Sequence, residues 1–461
     1  MLTLVNKQNI LFYILITVHL VFGHETFCQS ISSEQNYAIN SPGVVTIQTI
    51  FSATVYVNQV EMNQTRFDKL VDSVKRLDTT GAMLSPEQKL DIVIKALYSS
   101  PLRFFSRGLD YLMKENKIIS TGTGFFISSD GYLLTNCHVI DKDNSFIRQK
   151  FILSTFKEVT DENIQSLQSS WGMTLTGEQK NLLYNTYSFV YSQVSSMILF
   201  DLKKEINVLF RTDGAQSSKK AELIKKGSPM PGKDLALLKI DGEKDLPILK
   251  LSKDSITNIG EQVLVYGYPE PVSNNTYIST EAAIEPTLTS GVVSAVKKSI
   301  GGWPVIQMDA AISHGSSGSP VCNGKGEVIG VATFGSLEQG SSSLSSSFNF
   351  AIPVLVVKDF LEDTHIKIQE SKANESYNRA IEYFYQRYYS KALPGFENAK
   401  KVNKNYPGLD SYIKISKNKI AAGEDQYNGK SRVFLWVIAV ILLIAFGYMM
   451  FKRKIYPSSL N

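Results

Sequence analysis

GTGFFISSDGYLLTNCH, at residues 122–138, contains the clearest structural pattern in the chain. Two apolar runs flank the dipeptide Asp130-Gly131, which favours a tight turn between paired strands. A titratable residue, His138, follows directly after the second run. The pattern therefore predicts a β-hairpin that ends in a histidine.

Strand patterns continue on both sides of this hairpin. β-Branched residues dominate 43–59, and short apolar runs separated by Gly, Asn and Ser continue over 205–358. Many short strands at close spacing are typical of a sandwich or a barrel. In contrast, apolar residues recur three and four positions apart in 62–117 and roughly in 158–200, which predicts helical insertions. We expect a mainly β fold with these two insertions.

Two further segments carry reactive side chains. Asp234 opens the apolar run DLALLKI, and Ser317 lies in the turn GSSGSP between Gly315 and Gly318. A serine nucleophile needs a base and a carboxylate that orients the base, and flanking glycines let backbone N–H groups point at a developing oxyanion. His138, Asp234 and Ser317 are therefore the candidate catalytic residues, in the chain order His, Asp, Ser.

Two of the candidates also have a plainer interpretation, and the aspartate has a rival. His138 alone could be a core histidine, Asp234 a strand cap, and Asp309 a rival carboxylate. The α/β-hydrolase arrangement is excluded by position, because the only histidine after the serine turn, His365, lies beyond the strand-rich region. A P-loop-like spacing ends at Lys233, but an aspartate and a strand follow where a P-loop needs Ser or Thr and a helix.

These segments together resemble the protease domain of the HtrA/Deg family of trypsin-like serine peptidases. The resemblance covers 43–59 and 118–358, a little over half of the chain. Further matching segments are TSGVVSA (289–295), QMDAAI (307–312), GEVIGV (326–331) and NFAIP (349–353). The resemblance implies a double six-stranded β-barrel and a trypsin-like protease domain over 40–358. It also implies that His138, Asp234 and Ser317 act as the triad.

The resemblance implies further roles around the triad. The backbone N–H groups expected in the oxyanion hole are those of Gly315, Ser316 and Ser317. The side chains expected around the S1 pocket are those of Ile312, Ala332, Thr333 and Phe334. Such an apolar pocket favours small or medium aliphatic P1 residues. The resemblance implies a serine endopeptidase that acts on protein substrates, and relatives often form trimers. No cofactor is expected, and no metal either, because the sequence has no His/Cys cluster with metal-ligand spacing.

The chain departs from the family in two ways. About 95 residues separate His138 from Asp234, far more than the family usually has. No PDZ domain follows the barrels; instead, 366–425 is predicted to be helical. Its residues Tyr383, Ala392, Phe396 and Ala399 are spaced like part of one tetratricopeptide (TPR) repeat. A plain helical stalk is the alternative.

Hydrophobic segments bracket the chain. The apolar run Ile10–Phe22 is too short to span a bilayer comfortably and predicts a signal peptide over 1–29, with an uncleaved anchor as the alternative. Val433–Phe451 has nineteen apolar residues and no charge, and as a helix it rises about 28 Å, which suits a transmembrane helix. The basic residues that follow favour a cytoplasmic tail over 452–461.

Charge and cysteine content narrow the function further. The 48 basic and 43 acidic residues give a net charge of +5 without long runs of one sign, so no nucleic-acid binding is expected. The three cysteines, Cys28, Cys137 and Cys322, form no disulfide framework. Cys137 and Cys322 could pair, but two buried thiols are the favoured interpretation.

The sequence therefore predicts a single-pass protein of the cell membrane whose protease domain lies outside the cytoplasm, in a bacterial periplasm. Its predicted activity is the hydrolysis of peptide bonds in misfolded or signalling proteins. The alternative is a membrane scaffold, non-catalytic or conditionally active, that binds protein partners through the insertions and the TPR-like helices.

Overall fold

The computed structural model describes residues 31–77, 83–213, 215–254, 256–270, 284–337 and 344–427, with short pieces between 435 and 447. The predicted signal peptide, 1–29, and the predicted tail, 452–461, lie outside the described residues. The predicted transmembrane helix, 433–451, is described only in pieces. Within the part of the chain that the structure describes, we find no helix with both the length and the apolar character needed to cross a membrane.

Two closed barrels of six strands each contain most of the β structure. The first barrel comprises β1 (Val44–Met62), β2 (Phe105–Phe126), β3 (Tyr132–Thr135), β4 (Met197–Thr212), β5 (Ala215–Lys226) and β6 (Ala236–Ile240). The second comprises β7 (Gln262–Gly267), β8 (Thr287–Lys298), β9 (Pro304–Met308), β10 (Pro320–Cys322), β11 (Val328–Leu337) and β12 (Leu344–Pro353). The strand orders are β1-β2-β3-β6-β5-β4 and β7-β8-β9-β12-β11-β10. The predicted trypsin-like double barrel is confirmed.

The hairpin predicted at 122–138 is formed by β2 and β3, with Phe125 opposite Leu134. Gly131 in its turn has φ +105°, and a Cβ there would lie 2.3 Å from the carbonyl oxygen of Ile240. Only glycine fits this conformation and this close approach. The hairpin ends in the one-turn helix α5 (Cys137–Ile140), which carries His138.

The insertions form one helical unit, which we call the insertion module. Its helices are α2 (Gln64–Arg76), α3 (Pro86–Ser99), α4 (Pro101–Phe104), α6 (Asn144–Trp171) and α7 (Gly177–Val194). They bury one face of the long strands β1, β2 and β4, where Val55, Val57, Phe151 and Leu183 share a core. The module is thus built on extensions of the first barrel.

The structure corrects the predicted limits of the helical regions. Residues 105–117, which we expected to be helical, belong to β2 and pair with β1. Helix α6 begins at Asn144, earlier than expected, and 197–200 belong to β4 instead of a helix. Exposure alternates with a period of two along 111–121, so pairing with a long neighbouring strand overrides the helix-like spacing of the apolar residues.

Helices at the two ends of the described chain pack together. These are α1 (Ser33–Asn40), α9 (Lys372–Tyr385), α10 (Tyr389–Val402) and α11 (Leu409–Ala421). Helix α8 (Val354–Glu362) instead packs against β11 and β12 of the second barrel. Tyr377 donates a hydrogen bond to the carbonyl of Ala38 at 3.0 Å. Tyr377, Phe396 and Leu409 are buried in the core of α9 to α11. This arrangement agrees with the predicted helices at 366–425, while their likeness to a TPR unit stays a prediction.

Candidate active site

His138 and Asp234 meet because their strands are neighbours. Thr135 at the end of β3 pairs with Ala236 at the start of β6. His138 follows the one strand and Asp234 precedes the other, so both lie at the same edge of the first barrel. The Nδ1 atom of His138 lies 2.6 Å from Oδ2 of Asp234. The fold thus forms a histidine–carboxylate pair from residues 96 positions apart.

The carboxylate of Asp234 is buried and accepts several hydrogen bonds. It is 1% exposed. The backbone N–H of His138 donates to its Oδ1 at 2.9 Å, and the hydroxyl of Thr333 donates to its Oδ2 at 2.7 Å. An ionised carboxylate only accepts hydrogen bonds, so the imidazole must carry its proton on Nδ1 and present an unprotonated Nε2. This tautomer is the one a general base needs.

Ser317 lies in the turn between β9 and β10, and the first barrel fixes this turn. The backbone N–H of Thr123 donates to the carbonyl of Ser317 at 2.8 Å, and its hydroxyl donates to the carbonyl of Gly315, also at 2.8 Å. Gly318 has φ +89°, and a Cβ there would lie 2.0 Å from the carbonyl oxygen of Thr123. Thr123 therefore holds the serine turn against the barrel that carries His138.

The hydroxyl of Ser317 donates to the carbonyl of Thr333 at 3.3 Å. The proton of this hydroxyl is therefore engaged by the Thr333 carbonyl in this structure. This hydrogen bond must break before His138 can take the proton from Ser317. Hydrogen bonds between a nucleophile and its base often form only when a substrate is present.

The expected oxyanion residues have different backbone environments. The N–H of Ser316 donates to the carbonyl of Ser313 at 3.0 Å, so it is already engaged. The carbonyl of His314 accepts from the N–H of Glu270 at 2.7 Å. In a trans peptide the N–H points opposite to the C=O, so this bond directs the N–H of Gly315 away from Glu270.

A similar bond orients the peptide before the serine. The carbonyl of Ser316 accepts from the N–H of Ser319 at 3.1 Å. The N–H of Ser317 therefore points to the opposite side of the turn. Two N–H groups of the turn, those of Gly315 and Ser317, have directions set by the partners of the preceding carbonyls.

The residues expected around the S1 pocket separate in the structure. Ile312 lines the same cavity as His138 and Ser317. Thr333 also borders this cavity, but its hydroxyl is directed to Asp234. Ala332 is fully buried in β11, and the side chain of Phe334 lies outside the described residues.

The cavity around the three candidate residues has a volume of about 550 Å³. The prediction from the sequence did not include several of its lining residues, which are Ile119, Ser120, Thr121, Val139, Lys142, Pro229, Met230, Glu270, Ser313 and His314. Burial lowers the pKa of Lys142, and the charge of Asp234 opposes this shift. Among the described residues, no cluster of three or more His, Cys, Asp or Glu side chains could hold a metal ion.

Both described cysteines are free and buried, which confirms the favoured interpretation. Burial, assisted by the charge of Asp234, raises the pKa of the Cys137 thiol to about 11. Burial also raises the pKa of Cys322. A thiol of high pKa is a poor nucleophile at neutral pH because the thiolate is the reactive form. The cysteines are therefore structural neighbours of the candidate site.

Comparison with known proteins identifies the class of domain that the two barrels form. Residues 122–331 match the trypsin-like peptidase domain. Serine protease HTRA4 of Mus musculus is 34% identical over 149 residues, which are 30% of this chain and 26% of that protein. A probable periplasmic serine endoprotease, DegP-like, of Pseudomonas fluorescens is 29% identical over 265 residues, which are 56% of this chain and 38% of that protein. The matches thus span from a quarter to two fifths of these relatives.

Among solved structures, the HtrA-type protease AlgW with decapeptide aligns with a TM-score of 0.37 and 20% sequence identity. The alignment covers 72% of this chain and 67% of that chain.

Proposed function

We propose that this chain, which contains a trypsin-like serine peptidase domain of the HtrA/Deg type, hydrolyses peptide bonds in protein substrates by means of His138, Asp234 and Ser317. One observation carries the proposal. The 2.6 Å contact between His138 and Asp234 borders the same cavity as Ser317, although the serine comes from the other barrel. A purely structural contact would not require a serine between two positive-φ glycines at this point.

The chemistry follows from the protonation of the imidazole. The hydroxyl of Ser317 turns from the carbonyl of Thr333 to Nε2 of His138, which takes the proton as Oγ attacks the scissile carbonyl. Asp234 stabilises the imidazolium that forms. The imidazolium then protonates the leaving amine, and an acyl-enzyme remains on Ser317. A water molecule, deprotonated by the same imidazole, hydrolyses the acyl-enzyme and restores the hydroxyl.

We assign the oxyanion contacts to the N–H groups of Gly315 and Ser317. Their directions, set by the bonds from Glu270 and Ser319 to the preceding carbonyls, support this assignment. The N–H of Ser316 is engaged by Ser313 and is left out, although the sequence motif includes it. Donors that are fixed before the reaction stabilise the developing negative charge without reorganisation.

The substrate side chain before the scissile bond would contact Ile312. The side chain of Ile312 is apolar and lines the catalytic cavity, and this favours a small or medium aliphatic P1 residue in the substrate. Thr333 would shape this pocket through its backbone, because its hydroxyl binds Asp234. A library of peptides that vary only at P1 tests this preference, and a preference for Lys or Arg would contradict it.

The proposed setting is the outer face of a membrane. The described residues between 435 and 447 include apolar side chains that are exposed, namely Leu435, Trp436, Ile438, Val440, Leu442, Leu443, Ile444 and Phe446. An uncharged segment with exposed apolar side chains supports a transmembrane anchor over 433–451. Flotation of the full chain with lipid vesicles tests the anchor, and Leu442→Lys with Ile444→Lys should abolish flotation.

The proposal also includes the finer organisation of the chain. It comprises the domain limits 40–358 and 366–425, a signal peptide at 1–29, and a TPR-like role of α9 to α11 in binding partners.

The second candidate function, a scaffold with conditional activity, is favoured by one observation. The hydroxyl of Ser317 is bonded to Thr333, so the conformation seen here must change before catalysis.

Cleavage of casein by the full chain tests the proposal. We expect Ser317→Ala to lower the rate by roughly a thousandfold or more. The matched control is Ser313→Ala in the same loop, because the Ser313 hydroxyl donates a long hydrogen bond, 3.4 Å, to the neighbouring carbonyl of His314. Equal loss in both variants, or an inert wild-type protein, would argue for the scaffold.

A further inference from the structure

One face of the sheet formed by β2, β1 and β4 beyond the barrel is bare. On β1, Phe51, Ala53, Val55 and Val57 are buried beneath the insertion module. Side chains alternate along a strand, so the residues between them point to the opposite face. The helices of the module cover the first face and leave this second face open among the described residues.

Large apolar side chains lie on the bare face at the end far from the barrel. We call Tyr56, Tyr111, Met113, Ile198 and Phe200 the outer patch. Met113 is 66% exposed, Phe200 64% and Ile198 50%. Their strands place them side by side, because Tyr56 pairs with Met113 on one side and with Ile198 on the other.

The ring of Tyr56 also contacts that of Phe200 edge to face, with centroids 6.2 Å apart. The outer patch is therefore a contiguous surface. Exposed groups of apolar side chains of this kind mark interaction sites in soluble domains.

The bare face continues into the catalytic cavity. Strand β2 runs from Met113 to Ile119 without a change of register, and both side chains point to the same face because six positions separate them. Ile119 is 56% exposed and lines the cavity together with Ser120, Thr121 and Ser317. At about 3.3 Å per residue, Met113 lies about 20 Å along the strand from Ile119.

We propose that the outer patch binds an extended apolar segment of the same polypeptide whose scissile bond lies in the cleft. We infer this ligand because one face of β2 runs without interruption from the catalytic cavity to the outer patch, so a substrate bound in the cavity can extend along it. An extended segment of about six residues bridges about 20 Å. Between the two ends the face carries Glu115 and Lys117 on β2 opposite Thr54 and Ser52 on β1, so a polar spacer fits there.

This inference rests on the proposed function and specifies its substrates. The preferred substrate is an unfolded polypeptide with an apolar segment about six to ten residues from the scissile bond, a spacing derived from the strand rise. Folded proteins bury such segments. The surface would therefore select unfolded chains even though the cleft itself contacts only a few residues.

The test compares peptides of two lengths with the full chain. One set has about six residues around a cleavable bond. The other set has about twenty residues and places either Leu-Val-Phe-Leu or Ser-Asn-Gly-Ser eight residues from the bond, on its N-terminal or its C-terminal side. On one of the two sides of the bond, we expect the apolar segment to lower KM by roughly tenfold relative to the polar segment in the same place. The gain comes from burial of two or three large side chains.

The test variant is Met113→Thr with Phe200→Thr, because threonine retains the strand preference. We expect it to erase the tenfold difference and to leave cleavage of the short peptides unchanged. The control is Ile300→Thr, since Ile300 is 98% exposed and lies in the turn after β8 of the other barrel.

Three results would overturn the inference. The first is equal KM for apolar and polar long peptides in the wild-type protein. The second is a difference that survives in the test variant. The third is loss of self-association or of vesicle binding in the test variant without any change in KM, which would assign the patch to a second copy or to a lipid surface. Failure of the proposed function is distinguishable, because the short peptides would then not be cleaved at all.

Discussion

Thr333 links the second barrel to His138 through the carboxylate of Asp234. Its hydroxyl bond of 2.7 Å joins a charged acceptor, and such bonds contribute about 1.5–3 kcal/mol. We expect Thr333→Val to lower kcat by about 10- to 100-fold with little change in KM, because the bond supports the imidazolium that forms in the transition state. Steady-state kinetics on a short peptide measures both parameters.

Thr333→Ser is the matched control, since it keeps the hydroxyl and removes only a methyl group. It should retain most of the activity of the wild-type protein. Equal losses in the Val and Ser variants would show that packing of Thr333, and not its hydrogen bond, is what matters.

The Cys137 thiol gives a prediction on pH. Its pKa is raised to about 11 in the folded protein, against about 8.5 for an ordinary thiol. Above pH 8.5 the thiol of the unfolded chain loses its proton while that of the folded chain keeps it. The free energy of unfolding therefore decreases as the pH rises from about 8.5 to about 11. Urea unfolding at pH 7.5 and 9.5 should show a smaller fall for Cys137→Ala. An equal fall in both proteins would contradict the assignment.

At the scale of single residues, the sequence predicted what local motifs encode. His138, Asp234 and Ser317 each lie in a short segment whose pattern is legible without the fold. The contacts of Thr123 and Thr333 were not predicted, because each joins segments that are far apart in the chain and meet only across the two barrels. The motif GSSGSP also could not show that the N–H of Ser316 is engaged.

At the scale of elements, Gly395 sets the contact between α9 and α10. A Cβ on Gly395 would lie 2.9 Å from Cβ of Ala380 and 3.2 Å from the carbonyl oxygen of Ser376. Alanine favours helices by about 1 kcal/mol over glycine, but overpacking costs about 1–3 kcal/mol. We expect Gly395→Ala to lower the thermal stability of α9 to α11.

The control for this prediction is Gly177→Ala at the start of α7, where a Cβ meets nothing within 4 Å. Hydrogen exchange of the amides in the two helical regions compares the variants. Slower exchange in α9 after Gly395→Ala would contradict the close packing.

Element boundaries were harder to predict than element types. The hairpin at 122–138 was predicted because its turn chemistry is local. The segment 105–117 was predicted wrongly because its partner, β1, lies more than forty positions earlier. Long-range strand pairing overrides local periodicity. The partner strand β1 cannot be identified from the sequence of this segment alone.

At the scale of the whole molecule, the pair His138 and Asp234 comes from one barrel and Ser317 from the other. The family resemblance implied two six-stranded barrels, and the strand orders confirm them. The three residues meet because the two barrels pack together, with Thr123 bonded to the carbonyl of Ser317. The helical insertions were predicted from the spacing of their apolar residues. The bare sheet face beside them was not, because 105–117 was expected to be helical and instead pairs with β1. These features extend the reach of the cleft by about 20 Å along one strand.

A serine-reactive fluorophosphonate, followed by mapping of the modified residue by mass spectrometry, tests the central claim most directly. We expect one adduct, on Ser317, in the wild-type protein. Labelling should slow by roughly a thousandfold or more in His138→Ala, because the hydroxyl then lacks its base. An adduct on another serine, or equal labelling rates in the wild-type protein and in His138→Ala, would contradict a triad of His138, Asp234 and Ser317.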